Sequence, residues 1–363
     1  MKILILCSNY EPGGAQRAAI RLNRQLAKQD GFSSELVFFH PKSPLFAEDT
    51  PKLICEQRIN SPKAFLDFLL KLDRKMKQAK PDVVLTLLPF ANIIGQLVAL
   101  RHRVPKRVAS HRNISDKELV GLQKIVDRSW ARWGIYTHIT AVSESTKNSF
   151  SYYGEKAFRK IAVVNNGLNF VPSTKSKETC REKFGLPQNE LIVGNIGRMV
   201  KQKNQQLLIH ILPSLKDIVL VIIGKGELES SLKNLADELG VSKRLKIIPE
   251  LNANDIPDFY KAIDIFAMPS LFEGLSNALI EALAAGLPIV SSDVDSQKDV
   301  LIRVDGLKAG VLAPTSDLAK WVNSIQRIKA NPTLRSQLEN CALARAKDFS
   351  IEQMTTGFIK SFQ

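Results

Sequence analysis

The chain has 363 residues, 44% of them hydrophobic and 24% charged, with a formal net charge of +15. That is the composition of a globular protein long enough for two domains, and it excludes a disordered or low-complexity chain. No apolar run reaches the roughly 18 residues needed to cross a bilayer, and four scattered cysteines without a C-x-x-C pair indicate neither a disulfide framework nor a zinc site. A reducing cytoplasm is therefore the expected setting. The opening MKILILCSNYEPGG carries one Lys and a short apolar run but no small-residue cleavage site, so it reads as a first buried strand rather than a signal peptide.

Short apolar runs alternate with helical patterns along the whole chain. Strands are expected at Ile3–Cys7, Leu36–Phe39, Val83–Leu88, Arg107–Ser110, His138–Val142 and Ile161–Val164. A second series follows at Leu191–Ile196, Val219–Ile223, Leu245–Ile248, Ile265–Met268 and Ile289–Ser291. Helices fit Gln16–Lys28, Pro62–Gln78, Asn204–Leu215, Leu228–Leu239 and Asn277–Ala285. Continuous apolar strands separated by helices predict parallel sheets covered on both faces. The fold class is α/β, with two doubly wound Rossmann-like domains facing a cleft. Residues 1–170 form the first domain, the polar, proline-flanked 171–190 a linker, and 191–349 the second domain, with 350–363 packing back on the first.

The charge is unevenly held. Residues 1–179 have 29 Lys+Arg against 15 Asp+Glu, whereas residues 180–363 have 22 against 21. An anionic partner is expected for the first half, and a membrane surface, a pyrophosphate-bearing substrate and nucleic acid are all candidates on charge alone. In PKAFLDFLLKLDRKMKQAK, Phe65, Leu66, Leu69, Leu72 and Met76 fall near helical spacing. Lys71, Arg74, Lys75 and Lys77 crowd its second half. Such a helix packs its apolar stripe inward and offers its cations to anionic lipid, or simply to water.

Four places carry chemistry. In PSLFEGLSNALIEALAAGLPIVSSD, Glu273 sits in a Glu-Gly turn, Ser276 and Asn277 open a helix, and Glu281 lies one turn inside it. The amides at such a helix start suit phosphate, and the flanking carboxylates suit sugar hydroxyls. After the first strand, Gly13 and Gly14 open a helix whose backbone a phosphate can approach closely. After strand Leu191–Ile196, Arg198 and Lys203 stand in a loop suited to a diphosphate. Strand Arg107–Ser110 runs into His111 and Arg112, where the His is either a structural hydrogen-bonder or an active-site group.

The stretches EPGGAQR, AVSESTKNSF, VNNGLN, GRMVKQKN, VIIGKGEL and PSLFEGLSNALIEALAAGLPIVSSD together resemble the family-4 retaining glycosyltransferases of the GT-B fold, bacterial cell-surface polysaccharide type. The closing FSIEQMTTGFIKSF resembles the family's last helix. The resemblance implies transfer of a hexose or N-acetylhexosamine from a nucleotide sugar, UDP-linked by family frequency, to a glycan or lipid-linked acceptor. It implies that Glu281 holds the ribose and Glu273 the donor sugar. Arg198 and Lys203 would clamp the diphosphate with the amides of Gly274, Leu275, Ser276 and Asn277. Gly14 would meet the phosphates from the other domain, and His111 would lie beside the transferred sugar. Gln16 stands where the family often has Glu. No cofactor and no metal are expected, the nucleotide sugar being a co-substrate. Asp293–Asp295 mimics a metal-binding D-x-D but follows the wrong motif. The partners expected are the nucleotide sugar, the acceptor and an anionic membrane surface, not nucleic acid, with the protein cytoplasmic and peripheral at the inner face of the membrane. A sugar-nucleotide epimerase of the same fold and a non-enzymatic anion-binding protein are the alternatives. A nicotinamide enzyme would need a G-x-G-x-x-G that Gly224-Lys-Gly226 does not complete.

Overall fold

The computed structural model describes residues 1–11, 13–42 and 51–362, so Pro12 of the EPGGAQR stretch lies outside the described residues. Contacts divide the chain into Met1–Gly167 with Ser350–Gln363 (unit 1) and Leu168–Phe349 (unit 2).

Unit 1 holds a parallel sheet in the order β2-β1-β3-β4-β5-β6. Its strands are β1 (Lys2–Tyr10), β2 (Ser33–Pro41), β3 (Val83–Leu87), β4 (Lys106–His111), β5 (His138–Ala141) and β6 (Ile161–Val163). Its helices include α1 (Gly14–Leu26), α2 (Pro62–Ala79), α3 (Gln96–Arg101), α4 (Ser115–Glu118) and α5 (Leu122–Trp133), with a π-helical turn at Ala91–Gly95 before α3. Ile3–Cys7 and all of β3 are buried, as an apolar run without alternation requires when both faces are covered. One face packs on α1, on Met354 and Phe358 of the C-terminal helix Ile351–Ser361, and on Phe362 just after it. The other packs on Phe68, Leu72 and Met76 of α2 and on Val98 and Ala99 of α3. Gly167 permits the return of the C-terminal helix, because a Cβ there would lie 2.6 Å from the Ile351 Cα and the Ser350 carbonyl oxygen.

Helix α2 starts where Ser61 caps Ala64 N and Pro62 takes the first turn. Its buried stripe is Phe68, Leu72 and Met76, whereas Leu66, expected inward, is 59% exposed. The basic set also needs correcting. Lys75 is 2.7 Å from Glu35 of β2, and Lys71 is 2.8 Å from Asp67, which leaves Arg74 and Lys77 as the exposed cations of that set outside an ion pair among the described residues.

Unit 2 holds a second parallel sheet in the order β12-β11-β10-β7-β8-β9. Its strands are β7 (Leu191–Ile196), β8 (Ile218–Ile223), β9 (Leu245–Ile248), β10 (Ile265–Met268), β11 (Ile289–Ser292) and β12 (Val311–Ala313). Its core centres on β8 and on Trp321, Ile325 and Ile328 of the helix Leu318–Ala330. Both sheets reverse strand order once, between β1 and β3 in unit 1 and between β7 and β10 in unit 2. Ligands of open parallel sheets bind outside the strand carboxyl ends at such reversals.

The segment 171–190 is not a bare linker. It carries the helix Lys177–Lys183 with Cys180 and Arg181 buried, and two carboxylates of unit 2 hold it. Asp258 accepts from Ser173 Oγ at 2.6 Å, Lys175 Nζ at 2.7 Å and Lys183 Nζ at 2.6 Å. Asp264 pairs with Lys177 and with Arg181, the latter at 2.7 Å. The charges that made the stretch look solvated are half of an ion-pair set.

Candidate active site

The loops after β7 and β10, the two strands flanking the reversal in unit 2, carry the motif residues. They are stitched together. Leu271 N donates to Gln202 O at 2.8 Å, and Gln202 Nε2 donates to Phe272 O at 3.0 Å and lies 3.4 Å from Glu273 Oε2. Lys203 Nζ meets Glu273 Oε1 at 2.6 Å, with both side chains largely buried at 16% and 9% exposure. The expected phosphate clamp and the expected sugar-binding carboxylate therefore neutralise one another across the two loops. Arg198 is exposed, forms no ion pair among the described residues, and has its carbonyl held by Gln205 Nε2 at 3.1 Å.

The Arg198 loop rests on the loop after β8. Met199 N donates to Lys225 O at 2.9 Å, and Leu228 N to Met199 O at 3.1 Å. Gly224 has φ +145°, and a Cβ there would fall 2.1 Å from the Gly197 carbonyl oxygen, so only glycine lets the two loops lie together.

After Glu273 the chain enters the helix Asn277–Ala284. Gly274, Leu275 and Ser276 are buried, and Ser276 is the N-cap, its Oγ accepting from Leu279 N at 3.4 Å. Glu281 lies in the second turn. The buried Tyr260 hydroxyl lies 3.1 Å from Glu281 Oε2 and 3.0 Å from Ala278 O, so its single proton serves one at a time. Burial, then the Glu281 charge, pushes the Tyr260 phenol far above its ordinary range, which keeps it a donor. Beyond β11, Asp293 and Asp295 lie 2.9 and 3.3 Å from Lys298 Nζ.

In unit 1, Gly14 is exposed at the start of α1, next to the reversal between β1 and β3. Gln16 is buried and donates to Asn9 Oδ1 at 2.7 Å, a bond that a carboxylate in its place could not give. His111, expected beside the transferred sugar, is instead sealed inside. It stacks on Phe150 with centroids 4.0 Å apart, and its Nε2 lies 2.9 Å from the Tyr153 hydroxyl, which donates to Asp127. Burial disfavours the charged ring, but Asp127 and Glu118 outweigh it and hold the pKa above the ordinary histidine value. The ring is fully buried at the end of β4, with its Nδ1 3.7 Å from Glu118 Oε1.

Sequence reasoning passed over two supporting residues and named a third, Arg112, without giving it a role. Gln202 and Tyr260 orient the two glutamates, and no spacing signal marks them. Arg112, the neighbour of His111, is buried with Ser110 and Asn166 as partners and its Nε unpaired. Burial brings its pKa down to about 10, still charged at neutral pH.

Two family models match: "Glycosyltransferase Family 4" over residues 12–172 and "Glycosyl transferases group 1" over residues 176–345. The chain belongs to the family-4 glycosyltransferases. Among curated relatives, the family-4 chain is 30% identical over 202 residues to the UDP-Gal:alpha-D-GlcNAc-diphosphoundecaprenol alpha-1,3-galactosyltransferase of Escherichia coli. That match covers 53% of this chain and 51% of that protein. The chain is 24% identical over 314 residues to the capsular polysaccharide biosynthesis glycosyltransferase CapM of Staphylococcus aureus, covering 81% and 82%. It thus spans about half the length of the first of these relatives and most of the second. Anabaena Alr3699/HepE, solved with UDP and glucose, superposes with TM-score 0.85 at 19% identity, covering 99% of this chain and 98% of that one. The fold is the two-domain GT-B fold.

Proposed function

We propose that this family-4 member is a retaining glycosyltransferase that moves a hexose or N-acetylhexosamine from a UDP-sugar to a lipid-linked or glycan acceptor in cell-surface polysaccharide biosynthesis. The observation that carries this reading is the Lys203–Glu273 pair spanning the loops after β7 and β10, with Arg198 exposed beside it. Without a donor, the two charges screen each other. A bound diphosphate draws Lys203 and Arg198 to its oxygens, and Glu273 then accepts hydrogen bonds from the sugar hydroxyls. Glu281, held by Tyr260, takes the ribose hydroxyls. The amides at the start of the helix Asn277–Ala284 add partial positive charge towards the phosphates.

The reaction breaks the bond from the anomeric carbon to the phosphate oxygen and forms one to the acceptor oxygen on the same face. The acceptor's proton passes to the departing phosphate oxygen. Double displacement would need a carboxylate nucleophile at the anomeric carbon, and both motif glutamates are assigned to hydroxyls. Catalysis then consists of positioning and of stabilising the charge on UDP. The acceptor in the name of the Escherichia coli relative is a lipid diphosphate, which fits the basic first half of this chain and work at the inner face of the cytoplasmic membrane as a peripheral protein. Donor turnover measured with and without a lipid-diphosphate acceptor tests the reading. Acceptor-dependent release of UDP is expected, and inversion of a stereocentre of the donor sugar without transfer would instead identify the epimerase.

A further inference from the structure

Helices α2, α3 and α5 lie on one face of the unit 1 sheet. The steps from β2 to β3, β3 to β4 and β4 to β5 all run across the sheet in the same direction, and right-handed crossovers put their helices on the same side. Direct contacts agree. Helix α2 packs on α3, and Trp130 Nε1 of α5 donates to Ile93 O in the turn before α3 at 3.1 Å.

The outer surface of this layer is unlike the rest of the molecule. Half of the exposed large apolar side chains among the described residues belong to these three helices, with Leu66 and Leu70 on α2, Leu97 and Leu100 on α3, and Leu122, Ile125 and Trp133 on α5. Helix α5 concentrates them. Leu122, Ile125 and Trp133 share one face by their spacing and are 73%, 64% and 74% exposed, while Asp127 and Ala131 face inward. Arg128 and Arg132 flank that outward stripe and are exposed, as are Arg74 and Lys77 on α2 and Arg101 on α3. The acids nearby are already neutralised, with Asp67 paired to Lys71, Asp73 to His102 and Arg101, and Asp116 to Lys124. A surface of exposed Leu, Ile and Trp interleaved with cations, of which Arg74, Lys77, Arg128 and Arg132 form no ion pair among the described residues, matches the interface of an anionic bilayer, where acyl chains meet phosphate headgroups. Two copies of this chain pressed together on this face would set the same cations against each other.

We propose that the α2–α3–α5 face is the membrane-docking surface, with Leu122, Ile125 and Trp133 entering the lipid interface and the arginines engaging anionic headgroups. This rests on the peripheral-membrane part of the proposed function and relocates the contact from the α2 lysines to α5.

The test uses the full chain with vesicles of phosphatidylcholine containing about one-third phosphatidylglycerol. The triple variant Leu122→Ser/Ile125→Ser/Trp133→Ser should bind these vesicles ~100-fold more weakly in co-sedimentation, both at low salt and at about 0.5 M salt. Arg128→Gln/Arg132→Gln should lose roughly tenfold at low salt only. Transfer to a water-soluble acceptor should be unchanged in both. A wild-type measurement guards against misfolding: lipids brominated on the acyl chain should quench tryptophan emission. Trp321 is buried in unit 2 and Trp130 is packed against the turn, so Trp133 is the tryptophan able to report it. Unaltered vesicle binding by the triple variant, or absence of quenching, overturns the proposal. So does a wild-type dimer that the triple variant abolishes without any vesicle binding. Sugar transfer without vesicle binding sinks this surface and spares the transferase reading, whereas vesicle binding without UDP-sugar turnover does the reverse.

Discussion

Replacing Lys203 by Met separates a clamp from a structural partner. The substitution strands Glu273, 9% exposed on its side chain, with only the 3.4 Å contact to Gln202 Nε2. Removing one member of a fully buried pair costs about 3–5 kcal/mol, and the residual exposure here lowers that to about 2 kcal/mol. For a unit of this size that is a fall of about 4–8 °C in Tm. Turnover of a UDP-sugar should fall further, ~100-fold, the loss for one preorganised donor to a developing charge. The double variant Lys203→Met/Glu273→Gln leaves no stranded charge, so it should regain most of the lost Tm while turnover stays low. Calorimetry and a UDP-release assay on wild type, Lys203→Met, Glu273→Gln and the double variant complete the cycle. Near-wild-type turnover in Lys203→Met, or turnover regained together with Tm in the double variant, would refute the clamp.

Glu281→Ala should weaken binding of free UDP roughly tenfold, the size of one charge-assisted hydrogen bond, with Tyr260→Phe giving a smaller loss in the same direction; isothermal titration reads both. Gly224→Ala should cut turnover more than it lowers Tm, because its Cβ collides with the Gly197 carbonyl and displaces Arg198. Three donors hold the Asp258 carboxyl well below the usual carboxylate range, Lys175 first, then Lys183 and Ser173. Its stabilisation is therefore present above the unfolded value of about 3.9 and lost as pH falls below it. Melts of Asp258→Asn should trail wild type at pH 7 and converge with it in acid. Activity should persist in excess chelator, and full loss restored by magnesium would return Asp293–Asp295 to consideration.

The sequence carried the strands because buried parallel strands are continuous apolar runs, and β7, β9 and β10 fall where periodicity predicts them. It did not carry β12, three residues at a sheet edge whose apolar run is too short to separate from a loop. The reading of 171–190 as a linker failed because its lysines find partners about 80 residues away, at Asp258 and Asp264, and composition cannot show a partner. The candidate site was legible as a set of residues, since Glu273, Ser276 and Glu281 mark a helix start by local chemistry. That Lys203 and Glu273 touch was not, because 70 residues separate them and only the strand order brings β7 beside β10. His111 shows the opposite limit. Its place at the end of β4 was read correctly, but burial behind Phe150 and Tyr153 decides its role.

The most direct test of the central claim is a proton NMR time course of the protein with UDP-hexoses and UDP-N-acetylhexosamines and a lipid-diphosphate-linked acceptor. The account predicts UDP release matched one to one by a new α-glycosidic anomeric signal, from the α-configured donor and with no β anomer. A β-linked product, or no UDP-sugar consumed under any pairing, would contradict it.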